Sequence, residues 1–456
     1  MKKFTILLNY LGIIFLLVSC SGTTTTNTPF QGQGLLTTPS LPPLIMTEQL
    51  STHTPTHSLT PTHPTVTATT ALTFKPTSTA IPTVDPITGL RTQCLEPVPA
   101  LPEGVRLEGK LVLGNKYLLD LGTGKQTLLA QDTQDINWLE ISPNRKWMYY
   151  SDCGAATGGS GCVDTVASLN EVVSNFPHHN DEWMWEWWLD NDRLFIIPFG
   201  TAPSNSVIVL NPFSGEEIEL SLDLPDPYYS TPDNIIYFLP INLDPTLTRA
   251  MFFDREGIGR LIMWDIPASK MLAWLPYPVV PGDPVFPPGG ESSSGWSPDG
   301  SKFATTSPVT FPDPAGVTLA AEELFSLSLE GQVRQLTHLS EGYKFVRISG
   351  WRWSPDNSHI AFWLQTAGEE DPSQEDLVSR LVVLDTETQE VTDYCIGTSK
   401  FTRLPVWSPD GQQLIVNFLP EDGSLPILIL IDLKNSFASI IAEDVKSSLV
   451  GWMVEP

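Results

Sequence analysis

Residues 296–300 read W-S-P-D-G, residues 407–411 read W-S-P-D-G again, and W-S-P-D-N stands at 353–357 between them. In a type I turn Ser is favoured at the first position, Pro at the second and Gly at the fourth. Ser297, Pro298, Asp299 and Gly300 occupy those slots in order, as do Ser408, Pro409, Asp410 and Gly411. Pro presets its φ, Ser caps the turn, and Gly takes the left-handed conformation that returns the chain as a hairpin. Asn357 fills the last slot after Ser354, Pro355 and Asp356, since Asn tolerates that conformation at modest cost. An apolar strand follows each turn: K-F-A-T-T from Lys302, H-I-A-F-W-L from His359 and Q-L-I-V-N-F from Gln413. The repeated pentapeptide therefore reads as architecture rather than chemistry.

A second hairpin follows each first one, as in L-V-V-L-D-T-E-T-Q-E-V-T over 381–392 and V-I-V-L-N-P-F-S-G-E-E-I-E-L over 207–220. Four antiparallel strands per unit, repeated, predict a β-propeller blade. Further inner turns are expected at Ser142-Pro143-Asn144, Asp190-Asn191-Asp192 and Asp244-Pro245, spaced about fifty residues apart. Thr231-Pro232-Asp233-Asn234 imitates the turn, but using it would leave one unit cramped and the next overlong. Near the start, residues 109–129 supply three strands without an inner one, and S-L-V-G-W-M-V over 448–454 is an orphan strand. Gly451-Trp452 repeats the Gly-Trp of Gly295-Trp296 and Gly350-Trp351, so the orphan is expected to complete the first sheet. The expectation is an all-β, seven-bladed β-propeller over 91–456, closed by its C-terminal strand, which removes exposed sheet edges. Trp296, Trp353 and Trp407 immediately precede their turns and are expected to pack between neighbouring blades, each burying roughly 150–250 Å².

These features together resemble the TolB-type, WD-repeat-like propeller repeat. The resemblance is good over 296–340, 353–395 and 407–441; elsewhere it is one of pattern, with Arg145 where Gly would stand and no Pro in L-D-N-D-R over 189–193. It implies the fold. The TolB protein is a soluble periplasmic partner of an envelope lipoprotein with an extra amino-terminal domain, which a tether replaces here, so its particular role does not transfer.

The chain begins with Lys2, Lys3 and an apolar run over 6–18, too short for a comfortable membrane span and suited to a signal peptide over 1–19. The run ends in L-V-S-C over 17–20, which resembles the bacterial lipobox and implies lipidation of Cys20. Several acyl chains would anchor the protein durably to the cell membrane or outer membrane, facing the surface or periplasm. Residues 20–90 are rich in Thr, Pro and Ser and cannot bury enough apolar surface to fold, so they form a disordered tether reaching on the order of 200 Å. The formal charge is −27, and the first 90 residues carry only Lys2, Lys3 and Lys75 against Glu48 and Asp85. So acidic a folded part excludes nucleic acid as a partner.

With Cys20 lipidated, four of the five cysteines remain. An exported protein with an even remainder points to disulfides: Cys153 with Cys162 across a Gly-rich loop, and Cys94 with Cys395 as the remaining pair. No C-x₂-C spacing is present, so neither a metal nor another cofactor is expected.

Blade topology puts the tight turns on one face and the long connections (153–170, 276–290, 307–322 and 365–380) on the other. Binding is expected on the long-loop face, where Glu369, Glu370, Asp371, Glu375 and Asp376 would make an acidic rim, or simply a solvated charge run. The run E-W-M-W-E-W-W-L over 182–189 reads as inter-blade packing, with sugar stacking as the alternative. No nucleophile elbow or sialidase-type box occurs. The expected function is a monomeric, noncatalytic, membrane-anchored module that binds an envelope protein or glycan. The competing reading is a polysaccharide enzyme with paired carboxylates about 5–10 Å apart beside an exposed Trp.

Overall fold

The computed structural model describes residues 82–114, 117–129, 136–152, 163–177, 184–198, 206–222, 239–254, 260–276, 295–310, 321–368, 377–398, 404–420, 425–445 and 447–455. All of these fall in one compact unit, Thr73–Pro456. Regular structure among them is strand throughout, apart from a 3-10 turn at Leu339–Glu341. No helix there is long and apolar enough to cross a membrane.

The strands pair antiparallel in chain order. Ile136–Ile141, Met148–Asp152, Val163–Ala167 and Val172–Pro177 form one sheet. Met184–Trp188, Leu194–Pro198, Ser206–Asn211 and Glu216–Ser221 form the next, and Leu239–Leu243, Arg249–Asp254, Arg260–Asp265 and Lys270–Pro276 a third. Lys302–Thr310, Ala321–Ser328 and Val333–Gln335 follow, with Trp296 bridged to Phe303 on their inner side. A single parallel bridge, Ala321 to Val346, joins this group to Phe345–Trp353, His359–Ala367, Ser379–Asp385 and Val391–Thr398. Val406–Trp407, Gln413–Phe418, Ile427–Asp432 and Phe437–Ala442 complete the series.

The sheet nearest the N-terminus contains Lys110–Leu113, Tyr117–Asp120 and Gln126–Leu128, and its inner strand comes from the other end of the chain. Leu449–Met453 lies antiparallel to Lys110–Leu113, with Trp452 opposite Leu111.

Period-two alternation explains why the strands are apolar on both faces. Along His359–Ala367, Ile360, Phe362 and Leu364 pack toward Ala304 and Leu324 of the preceding group. Ala361 and Trp363, between them in sequence, pack toward Trp407, Leu414 and Ile429 of the following one. The same division holds at the chain ends: Leu111 and Leu113 join Leu430 and Trp452, while Val112 joins Leu139, Met148 and Met453. Among the described residues the buried side chains gather into seven clusters, each between two successive sheets.

The inner turns share one geometry across different sequences. Gly300, Asn357 and Gly411 each donate their amide to the Ser carbonyl three residues earlier, at 2.7, 3.0 and 3.0 Å, with φ of 69°, 64° and 70°. Arg145 and Leu247 do the same at φ 64° and 59°, donating to Ser142 and Asp244. Asp244-Pro245 is thus a turn of the series, as expected, while residues 231–234 lie outside the described part. In the Ser-Pro-Asp turns the Ser hydroxyl donates to Asp299, Asp356 and Asp410 at 2.6, 2.5 and 2.5 Å. That hydroxyl in turn accepts the amide five residues on, from Lys302, His359 and Gln413. Burial opposes ionisation of Asp299 and Asp356, yet these hydrogen bonds hold both carboxyls below the usual range.

Upstream of the first complete sheet the chain runs along the outer edges of the last two. Leu90–Thr92 lies parallel to Val391–Thr398, and Pro97–Val98 lies parallel to Phe437–Ala442. Pairing already starts at Thr83–Val84, before residue 90, because Asp85 closes a tight turn: its carboxylate accepts the Ile87 amide at 2.8 Å and its carbonyl the Gly89 amide at 3.0 Å. Cys94 and Cys395 are joined in a disulfide with Cα atoms 4.8 Å apart, clasping this segment to the sheet. Cys153 and Cys162 lie outside the described residues. Replacing Cys94 and Cys395 together by Ser is expected to cost about 2–4 kcal/mol, read as a lower urea midpoint, because the bridge constrains a long loop of the unfolded chain.

Candidate functional site: a cavity at the turn end of the sheets

Strand register aligns seven inner segments. Ile141 pairs with Met148, Trp188 with Leu194, Leu243 with Ala250 and Trp296 with Phe303. Trp353 pairs with Ile360, Trp407 with Leu414 and Trp452 with Leu111. One step before these residues stand Glu140, Trp187, Asn242, Gly295, Arg352, Val406 and Gly451. All but Asn242 line a single cavity of about 240 Å³. Its rim is formed by the inner turns, including Pro143, Pro245, Pro298 and Pro355.

The turns nest against one another around that rim. A Cβ on Gly300 would stand 2.8 Å from Pro245, so glycine there permits the approach as well as the φ, whereas at Gly411, where a Cβ would stand 3.4 Å from Pro355, the φ alone calls for glycine. Asn357 accepts the Asp299 amide from the neighbouring turn at 3.3 Å. Trp353 donates its indole N–H to the Gly295 carbonyl and Trp407 to the Arg352 carbonyl, both at 3.0 Å. The motif tryptophans therefore lock successive sheets together and are themselves buried.

Three charged groups face this space, Glu140 and Arg145 from one hairpin and Arg352 from a distant part of the chain. Glu140 is buried and accepts the Trp188 amide on Oε2 at 2.9 Å. Burial pushes its carboxyl up to about 8, against the pull of that hydrogen bond and of Arg352. Arg352 lies deep in the molecule but faces the cavity; burial depresses its guanidinium and Glu140 works the other way. Arg145 reaches over from the Ser142 turn and donates Nη1 to the Trp407 carbonyl at 2.6 Å, while its own carbonyl accepts the Val454 amide at 3.0 Å. Burial and the nearby Arg352 lower its guanidinium to about 10, with Asp410 acting in the opposite sense.

The remaining carboxylates of the lining are occupied in turns. Asp190 accepts the Asp192 and Arg193 amides on one oxygen and the Arg193 side chain on the other. Asp299 accepts Ser297, the Ser301 amide and the Ser301 hydroxyl. The Ser142 and Ser297 hydroxyls are likewise tied into their turns. No His or Cys lines the cavity, and among the described residues no group of three His, Cys, Asp or Glu could hold a metal. What the lining offers is two guanidiniums and further N–H donors beside one carboxyl, Glu140, that no turn holds.

Of the residues singled out from sequence, Trp296, Pro298, Asp299, Trp353, Pro355 and Trp407 meet at this cavity. Gly300, Asp356, Pro409, Asp410 and Gly411 belong to the turns. Cys20 and the acidic run Glu369, Glu370, Asp371, Glu375 and Asp376 lie outside the described residues. Trp187 and Trp188 are buried, Trp187 tilted against Phe195 with centroids 5.1 Å apart. Sequence reading missed Glu140, Arg145 and Arg352. Each carried a signal: an Arg in the Gly slot of a turn, an Arg between two Trp, and a Glu one step before the aligned position.

No family model matches the chain, and no curated protein matches it. Among solved structures, TolB from Acinetobacter baumannii is 14% identical over 75% of this chain and 81% of its own, with a TM-score of 0.37. Hydrazine synthase from Kuenenia stuttgartiensis is 12% identical over 74% and 81%, with a TM-score of 0.38. An oligogalacturonate lyase in complex with manganese is 15% identical over 74% and 86%, with a TM-score of 0.42. Scores this low carry no weight in reading the cavity, which rests on the chain's own geometry.

Proposed function

We propose that the chain is a lipid-anchored, extracytoplasmic binding module. In this reading residues 1–19 direct export, Cys20 is acylated, the residues from there to the first strand at Thr83 form the tether, and the remainder closes into a seven-bladed propeller. Support for closure comes from the seven inner segments and seven inter-sheet clusters, with Leu449–Met453 joining the first sheet and packing beside both Ile136–Ile141 and Val406–Trp407. The propeller recognises an envelope protein or glycan through the cavity at its turn end, and it does so without catalysing a reaction.

The observation that carries the binding reading is the makeup of that cavity. Paired-carboxylate hydrolysis needs two carboxyl groups available to one bond, roughly 5–10 Å apart. Of the lining carboxyls, Glu140 alone is not held in a turn. Two arginines with one buried carboxyl suit recognition instead. The test is an envelope pull-down with the full-length protein and an Arg145→Asn/Arg352→Gln variant side by side, with palmitate labelling of wild type and Cys20→Ser. Wild type is expected to retain a partner that the cavity variant loses, and labelling is expected to vanish in Cys20→Ser. Release of reducing ends from envelope polysaccharide by the purified protein would replace this reading with the enzymatic one.

A further inference from the structure

The cavity has more specific chemistry than a generic binding surface. Arg145 and Arg352 come from separate sheets, lie within electrostatic reach of each other, and line the same small space. Arg145 uses Nη1 on the Trp407 carbonyl; a guanidinium has five N–H donors in a planar fork that matches a carboxylate. The Trp188 indole N–H, in the same lining, is a buried donor with no hydrogen-bond partner. Arg145, Arg352 and Trp188 thus bring N–H donors into a space walled in part by proline and indole rings, and two of its three carboxyls, Asp190 and Asp299, are already occupied in their turns.

Size narrows the choice. Pockets for drug-sized ligands have volumes of roughly 300–1,000 Å³, and this cavity of about 240 Å³ falls below that range and suits a small group. Charge narrows it further. The chain as a whole carries −27, so a polyanion is repelled on approach, whereas a lone carboxylate on a neutral or basic molecule meets positive charge only once inside.

Resting on the reading of this cavity as the binding site, we infer that it is a carboxylate subsite, in which Arg145 and Arg352 clasp a single carboxylate carried on a residue-sized group entering from the turn end. Such a carboxylate is either that of a free small acid or the terminal one of a polypeptide. Hydrogen bonds from the two guanidinium forks supply affinity, and the turn prolines keep the site preformed.

The test is titration calorimetry on the full-length protein with four probes: N-acetylalanine, N-acetyl-trialanine, the C-terminal amide of that peptide, and inorganic phosphate. The free acids are expected to bind and the amide to fail. Equal affinities for the two acids identify a free small acid as the ligand class; tenfold or tighter binding of the tripeptide identifies a chain terminus. Arg145→Asn keeps a residue that tolerates the left-handed turn and is expected to weaken acid binding at least tenfold. Arg352→Gln leaves Glu140 without its cationic neighbour, so Arg352→Gln/Glu140→Gln is measured beside it, with the same loss expected in a variant that unfolds cooperatively. Arg334→Gln, away from the cavity, is expected to bind as wild type. Equal binding of acid and amide, unaltered binding in folded Arg variants, competition by phosphate at equal strength, or silence of every probe with folded wild type would each overturn the carboxylate inference. Loss of the envelope partner in the Arg variants, together with silent probes, would leave the binding reading standing without it.

Discussion

Deleting residues 447–456 is expected to abolish the cooperative unfolding transition of the domain, rather than merely shift it to lower temperature. Leu449, Trp452 and Met453 are buried at 4, 3 and 0% exposure. Burying a Leu or Met side chain contributes about 1.5–3 kcal/mol, and a buried Trp lost to Ala costs about 3–5 kcal/mol. Their sum approaches the roughly 5–15 kcal/mol by which a whole domain is stable. The deletion also strips the inner partner from Lys110–Leu113 and opens two clusters at once, that of Leu111 with Leu430 and that of Val112 with Leu139. Arg145 would lose the Val454 amide from its carbonyl. Trp452→Ala gives the graded version: the indole donates to the Glu108 carbonyl at 2.8 Å, and the variant is expected to melt cooperatively with about 3–5 kcal/mol less stability. Calorimetry distinguishes the two outcomes, and a full-amplitude transition in the truncated protein would remove the proposed ring closure.

The second large effect is expected in the pH dependence of stability. Burial raises the Glu140 carboxyl from 4.5 to about 8 in the folded protein, so between those values the native state holds a proton that the unfolded chain has released. Stability then falls as pH rises through this window, by about 1.4 kcal/mol per unit at most and about 4–5 kcal/mol in all. The turn carboxylates act in the opposite direction and at lower pH. Asp299 and Asp356 are depressed below 3.8 in the native state, so their contribution is present above that value and is lost on further acidification. Together these groups place the most stable pH on the acid side of neutrality. Urea titrations of wild type and Glu140→Gln between pH 5 and 8.5 test this. The Gln side chain retains an acceptor for the Trp188 amide but has no proton to lose, and its curve is expected to be flat where wild type declines. Parallel curves would show that Glu140 does not titrate in this window.

Much of the architecture was legible because it is encoded in short windows. Pro298, Pro355 and Pro409 preset their turns, Gly300 and Gly411 supply the positive φ, and continuous apolar runs such as 360–364 announce strands buried on both faces. The departures at Arg145 and Leu247 show where local signals weaken: each adopts the left-handed φ that the series requires although its side chain does not favour it. The surrounding hydrogen bonds and sheet packing impose that conformation, and a motif search passes over it. The terminal strand was legible through Gly451-Trp452, because a repeat carries its own register.

From the sequence alone came a succession of antiparallel hairpins, the positions of their turns, and the expectation that the last strand completes the first sheet. The tertiary structure decided which residues share the cavity: Glu140 and Arg352 lie some two hundred residues apart and meet because their sheets present the same register position to a common space, where Arg145 joins them from the turn that follows Glu140. A turn depends on dihedral preferences and hydrogen bonds between near neighbours, which a few residues specify. Convergence of charges depends on the rotation between successive packed sheets, summed across many side-chain contacts, and no short stretch of sequence carries that sum.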